Sequence, residues 1–293
     1  MTKTTLEGPH WGDLETRGFV VVRAFFSAAE IHSLLTDFKM GAPPSTYPFG
    51  FKIVGRAALD RIWPKLASVV RRIKDTTKVD VDTLPFLSFS HYIVTELTER
   101  TAYFHQDFDL YYKLTRDHEH YLNFYAPLVK PDRKKSNLTF VPLDVLRARC
   151  PSGWERLVGS GGHRLASKGG STEVFGNYGA LLDRGADKPL FTLPIDIEEL
   201  GMTPELEVSD LLVLRGDVIH KTQDAETKRV SVSLRVTSSK KIIRRDRLDP
   251  IDETARDPGS KLTAALHHRL DALGRDEMTV EEFLATGGDT RRL

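Results

Sequence analysis

Residues 228–236 read KRVSVSLRV, and their alternation is strict. Val230, Val232, Leu234 and Val236 share one face of a strand; Arg229, Ser231, Ser233 and Arg235 share the other. The aliphatic face requires a core. The polar face has two possible destinations. On a half-exposed strand it meets water. In a closed barrel it looks inward, and a buried guanidinium then needs an anion. A dicarboxylate would be such an anion, one of its carboxylates held by the arginine fork with Ser231 adding a hydrogen bond. The choice between these two destinations decides the fold.

The surrounding sequence supplies partner strands. LPFLSFSHYIVTEL, YLNFYAPLVK, SNLTFVPLD, PLFTLPIDI and LEVSDLLVLRGDVIH are short, rich in Val, Ile, Phe, Tyr and Thr, and punctuated by Pro, Gly, Asp or Asn. This spacing predicts an antiparallel sandwich or barrel from about residue 83 to 240. The segment before it is mixed. Gly18–Arg23 reads as a strand. Ser27 with Glu30 forms a capping-box pattern ahead of a helix carrying Ile31, Leu34, Leu35 and Phe38. Residues 57–76 have helical spacing, with Pro64 expected to break or restart the helix. Residues 41–50 read as loop. Residues 151–185 hold nine of the 21 glycines and read as a long loop or insert, a candidate lid; the Walker spacing is missing from them. The tail, 241–293, has a charge-rich stretch expected on the surface, a helix over KLTAALHHRLDAL, and a short helix opened by Thr279 with Glu282. The expected class is α+β, mainly β, in one domain spanning 1–293: a helical part to about residue 80, the β core, and a helical tail.

Composition narrows the partners. The 293 residues are 40% hydrophobic and 28% charged with a net charge of +1, so no overall bias toward nucleic acid or anionic membrane exists. The single cysteine, Cys150, rules out an internal disulfide and fits a reducing compartment. The first residues lack a signal-peptide apolar region, and no run approaches a membrane span. The expectation is a cytoplasmic protein, a monomer or homodimer, acting on a small molecule and binding neither nucleic acid nor membrane.

The chemistry-bearing stretch is TAYFHQDFDLYY, 101–112. His105 and Asp107 form the one H-x-[D/E] triplet in the chain, and about one is expected by chance from 10 histidines and 41 acidic residues. On a strand, however, both point to the same side. His220 ends a strand-like segment far downstream and offers a third ligand from a neighbouring strand. Two imidazoles and a carboxylate on one face of an octahedral ion leave three positions open, which suits non-haem Fe(II) and O2. A structural zinc would want four protein ligands, commonly thiolates.

With these residues together, the chain resembles the Fe(II)/2-oxoglutarate-dependent oxygenases, and more narrowly the phytanoyl-CoA dioxygenase-like family. GFVVVRAFFSAAEIHSLL, FHQDFD, YLNFYAPLVKPDRKKSNLTFVPLD and SDLLVLRGDVIHKTQDAETKRVSVSLR carry the resemblance, over about residues 12–240. It implies a double-stranded β-helix (jelly roll, cupin-like) framed by N-terminal and C-terminal helices. It also implies His105, Asp107 and His220 as the iron triad and Arg229 as the residue holding the distal carboxylate of 2-oxoglutarate. Ser231 completes the Arg-x-Ser pattern, and Thr222 supplies a hydroxyl near the co-substrate. The implied activity is hydroxylation of an unactivated C–H of an amino acid or natural-product intermediate, with release of succinate and CO2; desaturation or cyclisation uses the same triad. Asp107 stands where related halogenases have a small residue. Two departures are Ser209-Asp210 in place of the usual Gly-Asp, and a second Gly216-Asp217 just before His220. The alternatives are a cupin-like metalloenzyme without 2-oxoglutarate and a non-catalytic jelly-roll binding module.

The remaining candidates read more plainly. Asn123, on a barrel strand with Tyr125, is a candidate contact for co-substrate or substrate. Arg235 competes with Arg229 but lies about 20 Å further along an extended strand, and spacing favours Arg229. Gln106 points away from the ligand face. His118 and His120 read as a solvated turn, His163 as polar loop, and His267 and His268 as helix surface. Phe104, Phe108, Tyr111 and Tyr112 read as core. Lys52, Arg56 and Lys113 are candidate readers of a polar or anionic substrate.

Overall fold

The structure, a computed structural model, describes residues 9–40, 50–82, 90–94, 103–107, 118–159, 162–176, 188–224, 228–248 and 258–285. In chain order its first elements are α1 (Asp13–Thr16), β1 (Phe19–Val22), α2 (Ala28–Lys39), β2 (Gly50–Ile53), α3 (Arg56–Thr76), β3 (His91–Val94) and β4 (Phe104–His105). Then come β5 (Tyr121–Val129), β6 (Leu138–Phe140), α4 (Leu143–Arg149), α5 (Pro151–Leu157), β7 (Arg164–Lys168), β8 (Ser171–Phe175) and β9 (Phe191–Leu193). The chain continues through β10 (Leu211–Arg215), β11 (His220–Thr222), β12 (Val230–Thr237), β13 (Ile242–Arg244), α6 (Pro258–Leu273), β14 (Glu277–Thr279) and α7 (Val280–Ala285).

Two six-stranded antiparallel sheets carry the architecture, ordered β1-β10-β5-β12-β3-β2 and β6-β11-β4-β7-β8-β9. From β3 to β6, and again from β10 to β12, the chain changes sheet at every strand. That winding is a double-stranded β-helix, with helices at both ends of the chain. The fold is mainly β with α2 and α3 covering one sheet.

The destination of the polar face of β12 follows from what the other face touches. Val232, Leu234 and Val236 join Leu122, Phe124, Leu211 and Val213 in one core with Leu34 of α2 and Leu59, Ile62, Leu66 and Ile73 of α3. Each such burial contributes about 1.5–3 kcal/mol. Arg229, Ser231, Ser233 and Arg235 therefore face inward, and every residue of β12 is buried. Its register pairs Ser233 with Tyr125 and Arg235 with Asn123. Beyond them on the inner face, Tyr125, Leu212 and Leu214 meet Leu138 and Phe140 of the opposite sheet.

Local signals hold at both ends. Ser27 and Glu30 close the capping box of α2. Thr279 and Glu282 make the same reciprocal pair at α7, Thr279 Oγ1 accepting from the Glu282 N–H at 3.1 Å. Pro64 does not break α3, which runs unbroken through it. Pro64 lies on the exposed side, and the packed stripe from Ala58 to Ile73 holds the helix across the missing backbone bond. The charge-rich stretch after residue 240 is not surface alone: Ile243 of β13 is fully buried with Tyr121, Leu266, Leu270 and Phe283.

The glycine-rich stretch also departs from its reading as a loop or lid. Its described part forms α5 and the β7–β8 hairpin, which extends the second sheet. The glycines there serve the turn: Gly169 and Gly170 have φ of 53° and 85°. Residues 160–161 and 177–185 of that stretch lie outside the described residues, as do 41–49 of the loop expected over 41–50. Among the described residues no helix is long and apolar enough to cross a membrane.

Candidate metal centre

Strand β4 is only two residues long, yet it brings His105 directly opposite His220 of β11 across an antiparallel pair. Their imidazole centroids are 4.4 Å apart and tilted by 49°. Asp107 follows two residues on, with Oδ1 3.7 Å from His220 Nε2. One donor atom from each of the three lies within 4.8 Å of the others, and this is the only such cluster among the described residues. Residues 105, 107 and 220 meet as the sequence leads one to expect.

Each imidazole is prepared by the backbone. His105 Nδ1 donates to the Tyr103 carbonyl at 3.0 Å, and His220 Nδ1 donates to the Val218 carbonyl at 2.9 Å. In both cases the carbonyl lies two residues back, so the proton sits on Nδ1 and the Nε2 lone pair faces the cluster. Burial, then the His220 ring, lowers the His105 pKa to about 4, which leaves it neutral near pH 7 as a ligand must be. For Asp107, burial alone would raise the pKa. Arg235 first, then His220 and His105, outweigh it and hold the carboxyl at about 2.

Arg235, which spacing set aside in favour of Arg229, has a carboxylate of its own. Its guanidinium grips both oxygens of Asp107, Nη1 at 3.2 Å from Oδ2 and Nη2 at 3.3 Å from Oδ1. It also stands 5.7 Å above the Tyr121 ring. That it shares a face with Arg229 is visible in the sequence; that this end of the face reaches Asp107 is not.

Arg229 lies toward the other end of the same inner face, only 2% exposed. It donates to the Ser136 carbonyl and, at 3.5 Å, to the Asn137 carbonyl, and its guanidinium carbon is 5.6 Å from the Tyr125 ring centre. Next to it the hydroxyls of Ser231 and Tyr125 are buried without a hydrogen-bond partner among the described residues. Buried hydroxyls normally find one. Asn123 accepts from Ser233 Oγ at 2.9 Å, and Thr222 is half-buried on β11 beside Leu138.

The other candidates sort out physically. His118 is not a solvated turn residue. It is fully buried, and its Nε2 donates to the Asp107 carbonyl without joining the triad. His120 Nδ1 accepts from the Asp80 N–H at 2.8 Å. His163 is half-buried and meets Gln106. His267 is half-buried and His268 exposed, and Phe104 is core. Lys52 is not available to read a substrate: its ammonium caps the end of α2, donating to the Phe38 carbonyl at 2.6 Å and to that of Met40. Arg56 pairs with Asp60 at 2.7 Å. Phe108, Tyr111, Tyr112 and Lys113 lie outside the described residues. Ser209, where glycine was expected, carries a positive φ of 93°, while Asp210 accepts from Arg23 and the Ala24 N–H and closes that turn.

No protein-family model matches the chain, and no curated protein is significantly similar to it in sequence. Among solved structures it is similar to the epimerase SnoN in complex with Fe3+, α-ketoglutarate and nogalamycin RO, at 17% identity and a TM-score of 0.49, covering 85% of this chain and 91% of that one. It is also similar to HygX from Streptomyces hygroscopicus with nickel and 2-oxoglutarate bound, at 14% identity and a TM-score of 0.41, covering 77% and 85%. A third is EvdO2 from Micromonospora carbonacea var. aurantiaca complexed with 2-oxoglutarate, at 12% and 0.45, covering 78% and 89%. Likenesses this shallow carry no weight for chemistry; the triad and the inner face of β12 stand on this chain's own residues.

Proposed function

We propose that this chain is an Fe(II)- and 2-oxoglutarate-dependent oxygenase that hydroxylates an unactivated C–H of a small molecule, an amino acid or a natural-product intermediate. One observation carries the reading. The His105–Asp107–His220 cluster meets, through Arg235, an inward polar face whose buried Arg229 is accompanied by two hydroxyls, Ser231 and Tyr125, that lack hydrogen-bond partners among the described residues. A divalent ion fits the donor set, and a carboxylate fits the far end.

Bound ferrous iron and 2-oxoglutarate would supply the oxidation, one O2 being consumed as 2-oxoglutarate becomes succinate and CO2 and the substrate is hydroxylated. The chain's residues do the rest. His105, Asp107 and His220 would hold the ion. Arg229 would hold the distal carboxylate of the co-substrate, with the Ser231 and Tyr125 hydroxyls available to donate to it. Thr222 and Asn123 would offer further polar contacts to it. Arg235 keeps Asp107 charged and fixed in rotamer. The aliphatic residues between the sheets exclude water.

Two measurements test the reading. Anaerobic addition of Fe(II) and then 2-oxoglutarate should produce a weak visible charge-transfer band. A panel of amino acids and natural-product scaffolds, assayed by succinate release under O2, should identify a substrate that accelerates turnover. Iron binding without any effect of 2-oxoglutarate would instead support a metalloenzyme that does not use it. Failure to bind iron at all would leave a jelly-roll binding module.

A further inference from the structure

We infer that Gln106, the residue between the first two ligands, is the positioning residue that ties their segment to the one carrying His220; the inference rests on the metal site proposed above. Ladder pairing alone holds these segments weakly. Between β4 and β11 the register has one pair, His105 with His220, and Asp107 lies beyond the end of β4. Something else must fix the distance across the 111 residues that separate Gln106 from Asp217.

The Gln106 side chain does this. It is fully buried, on the side opposite the ligands. Its Nε2 donates to the Asp217 carbonyl at 2.7 Å and to the Leu157 carbonyl at 2.7 Å. Its Oε1 accepts from His163 Nδ1 at 2.9 Å, and its backbone N–H donates to the His163 carbonyl at 2.9 Å. Two carbonyls on one side and an imidazole N–H on the other fix the amide orientation, so every polar atom of the side chain is used. The Asp217 end is itself rigid. Its carboxylate is fully buried and accepts from Arg215 Nε at 3.0 Å, Arg215 Nη2 at 2.6 Å and the Gly159 N–H at 3.1 Å. One residue later, Val218 supplies the carbonyl that orients His220. A single amide therefore links the backbone between His105 and Asp107 to the turn that aims His220. The tie runs on to α5 through Leu157 and to the start of β7 through His163.

The test uses the full chain freed of metal and titrated with Co(II), whose ligand-field absorption reports coordination geometry. Gln106→Met keeps the side-chain length and removes its hydrogen bonds; Gln106→Glu keeps the shape but sets a carboxylate against two carbonyl oxygens. Both should bind Co(II) about 10- to 100-fold more weakly, with an altered visible spectrum, while circular dichroism stays native. His163→Phe removes the Oε1 partner but keeps both bonds from Nε2 to the carbonyls, so it should weaken Co(II) binding less than either Gln106 variant. Folded Gln106 variants with wild-type Co(II) affinity and spectrum would overturn the inference and leave the metal site standing. So would variants that cannot be obtained folded, since Gln106 would then serve the fold rather than the ligands. A wild-type chain that takes up no Co(II) overturns the metal site itself, and this inference with it.

Discussion

Replacing Arg229 by alanine separates the oxygenase reading from its rivals. The guanidinium is 2% exposed, so water does not screen what it binds. Truncating one partner of a buried, hydrogen-bonded charge pair costs about 2–5 kcal/mol, because the other charge stays buried. At about 1.4 kcal/mol per decade, the 2-oxoglutarate Kd should weaken roughly 30-fold to several thousand-fold. The metal should not notice. Six residue steps separate Arg229 from Arg235, about 20 Å of extended chain, and it is Arg235 that meets Asp107. A second cost falls on the fold: the Ser136 and Asn137 carbonyls lose a donor, worth about 1–3 kcal/mol. The assay is an anaerobic 2-oxoglutarate titration of the Fe(II)-loaded protein, followed by the visible band, below the variant's melting temperature. Arg229→Lys retains the charge without the fork and should fall between the two. A folded Arg229→Ala variant with wild-type 2-oxoglutarate affinity, or one that loses iron instead, would refute the reasoning.

Other outcomes follow from the same geometry. Asp107→Ala should abolish Co(II) binding and also destabilise the metal-free chain by about 3–5 kcal/mol, because the buried Arg235 loses its carboxylate. Adding Arg235→Met should restore stability in urea unfolding but not metal binding. Gly216→Ala should lower the melting temperature by the equivalent of about 1–3 kcal/mol, since its Cβ would stand 2.4 Å from Tyr121 Cδ1 and 2.9 Å from His118 Cδ2; an unchanged melting curve would mean this corner yields freely. The metal-free chain should lose stability in acid. The unfolded His105 takes up its proton near pH 6.5 while the folded one waits until about 4, so stability falls as pH drops through that window. Asp107, ordinarily at 3.8 and held at about 2, extends the loss to lower pH. In urea unfolding at pH 7 and pH 4.5, His105→Asn should show a smaller drop than the wild type; equal drops would contradict the assigned cause.

Much of the site was readable from short-range pattern. The capping residues of α2 and α7, the inner and outer faces of β12, and the pairing of His105 with Asp107 are all set within a few residues. The errors were of another kind. Pro64 and the glycines of 151–185 were read as breaks because local propensity says so, but the stripe of α3 and the edge of the second sheet outweigh it. His118 looked solvated among charged neighbours, yet it is buried with its Nε2 on the Asp107 carbonyl. Lys52 looked free until the end of α2 claimed its ammonium.

The sequence by itself determined the period-two face of β12 and the chemical identity of each candidate ligand, because strand geometry and side-chain chemistry depend only on neighbours along the chain. Only the tertiary structure decided that the polar face turns inward, that Arg235 meets Asp107 while Arg229 donates to the Ser136 and Asn137 carbonyls, and that Gln106 reaches Asp217. Those outcomes depend on how β12 is registered against β5 and on how β4 meets β11, pairings between segments roughly 100 residues apart that no local pattern encodes.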